Sequence, residues 1–160
     1  MAGMDVDALW NEIELIYRER LPRFERVARA VTGNRESALE AVQDGFADAL
    51  RNAHRYTAAG PLEGWVWRCV VNRALKARTA PTLPEVEVWV EDDRNGSGDA
   101  DVRARVGALP ERQRLVVFLR YYADLGYREI AAALDIETGT VSATLSAAHA
   151  SLRASILEVH

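Results

Sequence analysis

The sequence predicts an all-α protein built as two small helical domains joined by an acidic flexible linker, the second domain a helix-turn-helix. Three observations lead there. Apolar residues recur at three- and four-residue spacing through most of the chain, the period of helices with one buried face. Residues 79–101, TAPTLPEVEVWVEDDRNGSGDAD, break that period with two prolines, an acidic run and Asn-Gly-Ser-Gly. Residues 109–153 read as a helix, a break, and two further helices across a tight turn. The expected units are therefore a first domain at 1–78, a linker at 79–101 and a second domain at 102–160.

Composition narrows the class. The 160 residues are 49% hydrophobic and 28% charged, as in a globular protein, and no apolar run reaches the roughly 18 residues that suggest a membrane span. Residues 1–16 are acidic where a secretory signal is basic, so no signal is expected. Cys69 is the single cysteine and falls in an apolar helical run, which favours a small core residue over a disulfide or metal ligand. With no thiol pair to oxidise, a cytoplasmic setting is expected. The net charge of −4 is segregated: residues 1–16 carry −4, 17–78 carry +5, 79–101 carry −6 and 102–160 carry +1.

In the first domain, Leu9, Ile13, Ile16, Leu21, Phe24, Val27, Ala28 and Val31 follow a helical period over residues 7–30. Pro22 is expected to start or kink a second helix there. Gly33 is fit for a left-handed cap and Asn34 for starting the next helix. That helix, near 35–54, places Leu39, Val42, Phe46, Ala49, Leu50 and Ala53 on a buried stripe, with Glu40, Gln43, Asp44 and Asp48 off it. Gly45 inside it costs roughly 1 kcal/mol relative to alanine, which a close helix contact would explain. A helix at 62–77 buries Trp67, Val70, Val71, Ala74 and Leu75, leaving Arg68, Asn72, Arg73, Lys76 and Arg78 on the remainder. Basic residues interleaved with Trp65 and Trp67 suit single-stranded nucleic acid, with arginine on phosphates and indole on bases; equally, the tryptophans can be core and the arginines solubilising.

Within the linker, Val86 to Val90 alternates like a strand that has no partner to pair with. In the second domain, Pro110 and Glu111 open a helix that buries Leu115, Val116, Leu119 and Tyr122 and ends at Asp124-Leu125-Gly126. A short helix buries Ile130, Ala131 and Leu134. After the turn at Asp135-Ile136-Glu137, Thr138 caps a last helix expected to bury Val141, Leu145, Ala148, Leu152 and Ile156. His54, His149 and His160 show no metal or triad spacing, so neither a metal, a cofactor nor an enzymatic activity is expected.

These residues resemble the two-domain extracytoplasmic-function sigma factors of bacterial RNA polymerase, in the sigma-70 family. The resemblance rests on A-x-E-x-V-Q-D-x-F at Ala38 to Phe46 and W-x-W-x-x-x-x-N at Trp65 to Asn72. It continues with L-P-x-x-Q-R at Leu109 to Arg114, E-I-A at Glu129 to Ala131 and G-T-V at Gly139 to Val141. It implies a factor that binds core polymerase and directs it to promoters. Glu40, Gln43, Asp44 and Phe46 would meet the clamp helices of the beta-prime subunit. Trp65, Arg68, Asn72, Arg73 and Lys76 would hold melted minus-10 DNA. Arg128, Thr138, Thr140, Ser142, Ala143, Ser146 and Arg153 would face the minus-35 element in the major groove, and the linker would thread the RNA exit channel.

The last helix departs from that pattern. Where the family places lysine or arginine, this chain has Ser142, Thr144, Ala147 and His149, and only Arg153 remains. Its outward face of small residues suits close approach by another helix. The alternative is thus a sigma-like regulatory protein whose second domain docks on a protein, such as an anti-sigma factor, and reads minus-35 DNA weakly.

Overall fold

The computed structural model describes residues 5–78 and 97–158; the strand-like run at 86–90 lies outside them. Among the described residues there are seven α-helices and no strand. The first, α1 (Val6–Thr32), starts at Asp5, whose carboxylate accepts the Asp7 amide, and ends at Gly33 with φ of 86°. Pro22 lies inside this one helix and begins no second one. Its ring is on the exposed side, where the carbonyl that loses its partner can be hydrated.

α2 (Arg35–Arg51) opens at Asn34, whose side chain accepts the Ser37 amide at 2.8 Å, and a single 3-10 turn, Ala53–Arg55, follows it. The α2 core is made of small residues, Ala38, Ala41, Gly45 and Ala49, around Val42 and Phe46. Small residues draw the neighbouring helices close and leave the flanks outside, so Leu39 and Leu50, expected on the buried stripe, are each 37% exposed. A Cβ on Gly45 would stand 2.6 Å from the Val70 Cα, which is the close contact the sequence called for.

α3 (Leu62–Ala77) completes the first unit. Trp67 is fully buried and stacks on Phe24, ring centres 3.8 Å apart and 14° from parallel. Its indole belongs to the core.

The second unit begins earlier than expected. α4 (Ser97–Gly107) takes up the last residues assigned to the linker. An acidic start suits a helix amino end, and Asp101 pairs with Arg105 one turn on at 3.1 Å. α5 (Glu111–Tyr121) buries five consecutive residues, Leu115 to Leu119, because it packs against α6 and α7 and also touches α1. Asp124, between α5 and α6, and Asp135, which caps the end of α6 (Tyr127–Leu134), both take the left-handed conformation that aspartate tolerates.

α7 (Thr138–Glu158) buries Val141, Leu145 and Ala148. Thr138 falls in its first turn. Leu152 is half-buried and Ile156 exposed, contrary to the periodicity; Leu152 faces an open groove lined by α4 and by Leu109 and Pro110.

The two units share one continuous apolar core. α6 packs on α3 more extensively than on either α5 or α7 of its own unit. Gly64 permits this: a Cβ there would meet the Ala132 Cβ at 2.7 Å and the Glu129 carbonyl oxygen at 2.9 Å.

Candidate nucleic-acid and polymerase interfaces

Helix α2 turns Glu40 and Gln43 to solvent and leaves Asp44 half-buried. Phe46, expected beside them, is instead a core residue, edge-on to Phe24 at 4.8 Å and to Tyr17 at 5.0 Å. The helical period already put it on the apolar stripe, and packing keeps it there.

Next to the acidic face runs an apolar groove of about 320 Å³ lined by Ile13, Tyr17, Gln43, Phe46, Ala47 and Leu50. Trp10 borders it, donating its indole N–H to the Leu50 carbonyl at 2.9 Å, and Trp10, Tyr17 and Leu50 all remain exposed. The sequence reading missed Trp10, Tyr17 and Leu50 as surface residues. The available signal was an apolar set on α1 wider than one buried face needs.

On α3 the expected nucleic-acid residues divide. At about 100° per residue, Trp65, Arg68, Asn72 and Lys76 fall on one side and Arg73 is turned toward α2. Arg68, Asn72 and Lys76 are exposed; Trp65 is half-buried, its ring 5.7 Å from Tyr56.

Arg73 is committed elsewhere. Its guanidinium grips Asp48 with two bonds, Nε to Oδ2 at 2.5 Å and Nη2 to Oδ1 at 2.8 Å, and Arg51 adds a third at 2.9 Å. It is a brace between α2 and α3. Sequence spacing did not reveal this because the pair is 25 residues apart.

The Arg73 bonds hold the Asp48 carboxyl below the usual carboxylate range, and Arg73 is raised in turn. A carboxyl depressed in the folded state adds stability above its unfolded pKa of about 4, and that stability is lost as pH falls through the lower folded value. Asp48→Asn is therefore expected to melt below the parent at pH 7 and to converge with it as the pH falls through the lowered folded pKa, measured by thermal unfolding across pH. A constant gap would contradict the ion pair. Cys69 lies near this brace, and burial pushes its thiol up to about 11, which suits an unreactive packing residue.

The second unit presents Arg128, Thr138, Ser142, Ala143, Ser146 and Arg153 to solvent, with Thr140 half-buried. The outward face of α7 carries the small residues read from the sequence. Thr144 gives its hydroxyl proton to the Thr140 carbonyl at 2.7 Å, and His149 Nε2 is 2.8 Å from the Tyr121 hydroxyl.

Arg128 lines a cleft of about 530 Å³ with Tyr56, Trp65 and Arg68 of the first unit and with Thr138 at the start of α7. A second cleft of about 560 Å³ brings Arg68 and Asn72 opposite Glu111, Arg112 and Asp135. The described residues hold no cluster of three or more metal-ligating side chains, and no described helix is long and apolar enough to cross a membrane.

Two helical units on one chain, the first with an acidic face beside an apolar groove and the second a helix-turn-helix, match known families in that order. Residues 16–80 match Sigma-70 region 2, and residues 99–152 match Sigma-70, region 4. The chain belongs to the sigma-70 family of RNA polymerase sigma factors.

Its relatives place it in the extracytoplasmic-function group. It is 28% identical to the ECF RNA polymerase sigma factor SigE of Mycolicibacterium smegmatis over 90% of this chain and 60% of SigE. It is 27% identical to SigM of Mycobacterium tuberculosis over 86% of this chain and 73% of SigM. Among solved structures, CnrH in complex with the cytosolic domain of CnrY aligns with a TM-score of 0.68 at 21% identity, covering 97% of this chain and 99% of that one. RpoE in complex with the anti-sigma factor NepR, from Bartonella quintana, aligns at 0.67 and 20% identity over 93% and 98%. These last two agree with the all-α fold in two units.

Proposed function

We propose that the chain acts in the cytoplasm as a promoter-recognition subunit that binds core RNA polymerase and starts transcription, with no catalytic step of its own. The observation that carries this is the pairing of a region 2 and a region 4 on one chain in family order. The units would be 1–78 and, allowing for α4, about 97–160, with the acidic segment between them.

Core polymerase would seat on Glu40, Gln43 and Asp44, with the groove of Tyr17, Ala47 and Leu50 supplying apolar area beside the charges. Trp65, Arg68, Asn72 and Lys76 would hold minus-10 DNA, aromatic and cationic groups being the pair that single strands require. Run-off transcription with core enzyme on genomic fragments tests the whole reading, and discrete transcripts are expected. Asp44→Arg is expected to weaken core binding by at least tenfold while leaving the melting temperature within a few degrees. Equal affinity for core would remove Asp44 from the contact.

A second reading is favoured by the outward face of α7, whose small residues offer one cation, Arg153. On this reading the face docks on a helix of a protein partner such as an anti-sigma factor. Each phosphate contact contributes roughly 0.9 to the slope of log K against log salt. Ser142→Arg is thus expected to steepen the salt dependence of minus-35 binding by about that amount if the face reads DNA, and to leave it flat if the face docks on protein.

A further inference from the structure

The outward surface of α7 carries one stripe made wholly of hydrogen-bonding side chains. At 100° per residue, Ser142, Ser146, His149 and Arg153 fall within about 60° of one another, and all are exposed. Hydroxyls, an imidazole and a guanidinium suit phosphate oxygens and base edges, and they offer a protein helix little apolar area. Tyr121, at the end of α5 and 58% exposed, flanks this stripe: its hydroxyl is 2.8 Å from His149 Nε2, with ring centres 6.0 Å apart. A tyrosine of one helix thus joins the polar stripe of another at its imidazole.

Histidine is the side chain whose charge ordinarily changes between pH 5 and 8, and a Tyr-His pair answers that change by reversing its bond. In the neutral ring with its proton on Nδ1, Nε2 accepts the Tyr121 hydroxyl proton. In the imidazolium both nitrogens donate, so Nε2 gives its proton to the Tyr121 oxygen and the hydroxyl proton is freed for an outside acceptor. Among the described residues Tyr121 is bonded to the imidazole, and Arg153 is its charged neighbour one turn on. Charged side chains of the surrounding helices are turned to other partners. On α5, Arg120 donates to the Leu125 carbonyl and Arg114 to that of Gly107; on α4, Arg105 donates to Ser155; on α6, the Glu129 carboxylate stands against Gly126 and Arg128 lies by Thr138.

We infer that Tyr121 and His149 form, with Arg153, a backbone-phosphate contact of the second unit whose strength depends on the charge of His149. The inference rests on the proposed reading in which α7 faces promoter DNA. A phosphate oxygen beside the imidazolium accepts from the ring, from the freed Tyr121 hydroxyl and from Arg153, and charge-assisted bonds of this kind are about twice as strong as neutral ones. With the ring neutral, Arg153 alone gives the stripe positive charge. The grip of the second unit on duplex DNA therefore tightens as His149 gains its proton.

Anisotropy of a fluorescein-labelled pool of random DNA duplexes, titrated with the full chain at pH 6 and pH 8 over a range of salt, tests this. The parent is expected to bind about threefold tighter or more at pH 6, with a slope of log K against log salt steeper by up to roughly 0.9, the value of one phosphate contact. His149→Gln, which keeps a hydrogen-bonding side chain without the charge, is expected to lose that difference. His149→Arg is expected to bind at pH 8 as tightly as the parent does at pH 6. Tyr121→Phe, which keeps the ring and loses the hydroxyl, is expected to give up part of the gain at pH 6. All these positions are exposed, so unchanged far-ultraviolet circular dichroism is expected of every variant.

Equal tightening at pH 6 in the parent and His149→Gln overturns the inference. So does His149→Arg binding no tighter than the parent at pH 8 while Ser142→Arg steepens the salt dependence, a result that keeps α7 as a DNA face and takes His149 off it. Tyr121→Phe matching the parent at both pH values overturns the part given to the Tyr121 hydroxyl. Failure of the underlying reading has its own signature: Ser142→Arg and His149→Arg would both leave duplex binding and its salt dependence unchanged, and the inference would fall with that reading.

Discussion

Trp67→Ala is expected to destabilise the protein by about 3–5 kcal/mol, the range for deleting a buried aromatic ring. Trp67 is fully buried and ends a chain of rings that runs through Phe24 and Phe46 to Tyr17. Removing it leaves a cavity between α1 and α3 and exposes the face on which Phe24 lies. Against a typical total of about 5–15 kcal/mol, such a loss brings the first unit close to unfolding.

The Trp67 Nε1 proton has no hydrogen-bond partner among the described residues. Trp67→Phe, which deletes that orphaned donor and keeps most of the ring, is therefore expected to cost clearly less than alanine. Urea unfolding followed by circular dichroism would show both midpoints. A Trp67→Ala midpoint within 0.3 M of the parent would place the indole outside the core, where a base-stacking role could reclaim it.

Gly45→Ala sets two effects of opposite sign against each other. Helix propensity alone predicts a gain of roughly 1 kcal/mol, since alanine is the better helix former. The structure predicts a loss, because the new methyl group would sit 2.6 Å from the Cα of Val70 and 2.9 Å from its amide nitrogen, which are backbone atoms with no rotamer to escape into. Overpacking of this kind costs about 1–3 kcal/mol, and the two helices must part to relieve it. We expect a net loss, with the melting temperature falling by several degrees. A rise would show that α2 and α3 are farther apart than the contact at Gly45 requires.

Much of the fold follows from features that act over short sequence distances. Gly33 and Asn34 end one helix and start the next by their own backbone and side-chain preferences, and both do so in the structure. The run at 62–77 has a period clear enough to give α3 its observed bounds. The structure departs from the local pattern where a local signal is outweighed. Pro22 reads as a break, yet the flanking helix absorbs it on the solvent side. Leu50 and Ile156 sit on apolar stripes, yet no neighbouring helix comes to cover them.

The candidate sites divide in the same way. Exposure of Glu40, Gln43, Arg68, Asn72 and Arg153 was legible, because each lies off an apolar stripe. The groove beside Trp10 was not, since it needs α1 and α2 side by side. Nor was the capture of Arg73 by Asp48, which joins residues on different helices.

The sequence by itself determined the helical class, the two units and their order, and the family, because periodicity, caps and short motifs are local properties of a chain. It also determined that the last helix is poor in cations. Tertiary structure alone decided which aromatic side chains became core, which arginine became a brace, and that α6 closes over α3 at Gly64. These outcomes depend on the distance between helices far apart in sequence, and that distance is set by the small residues at their crossings.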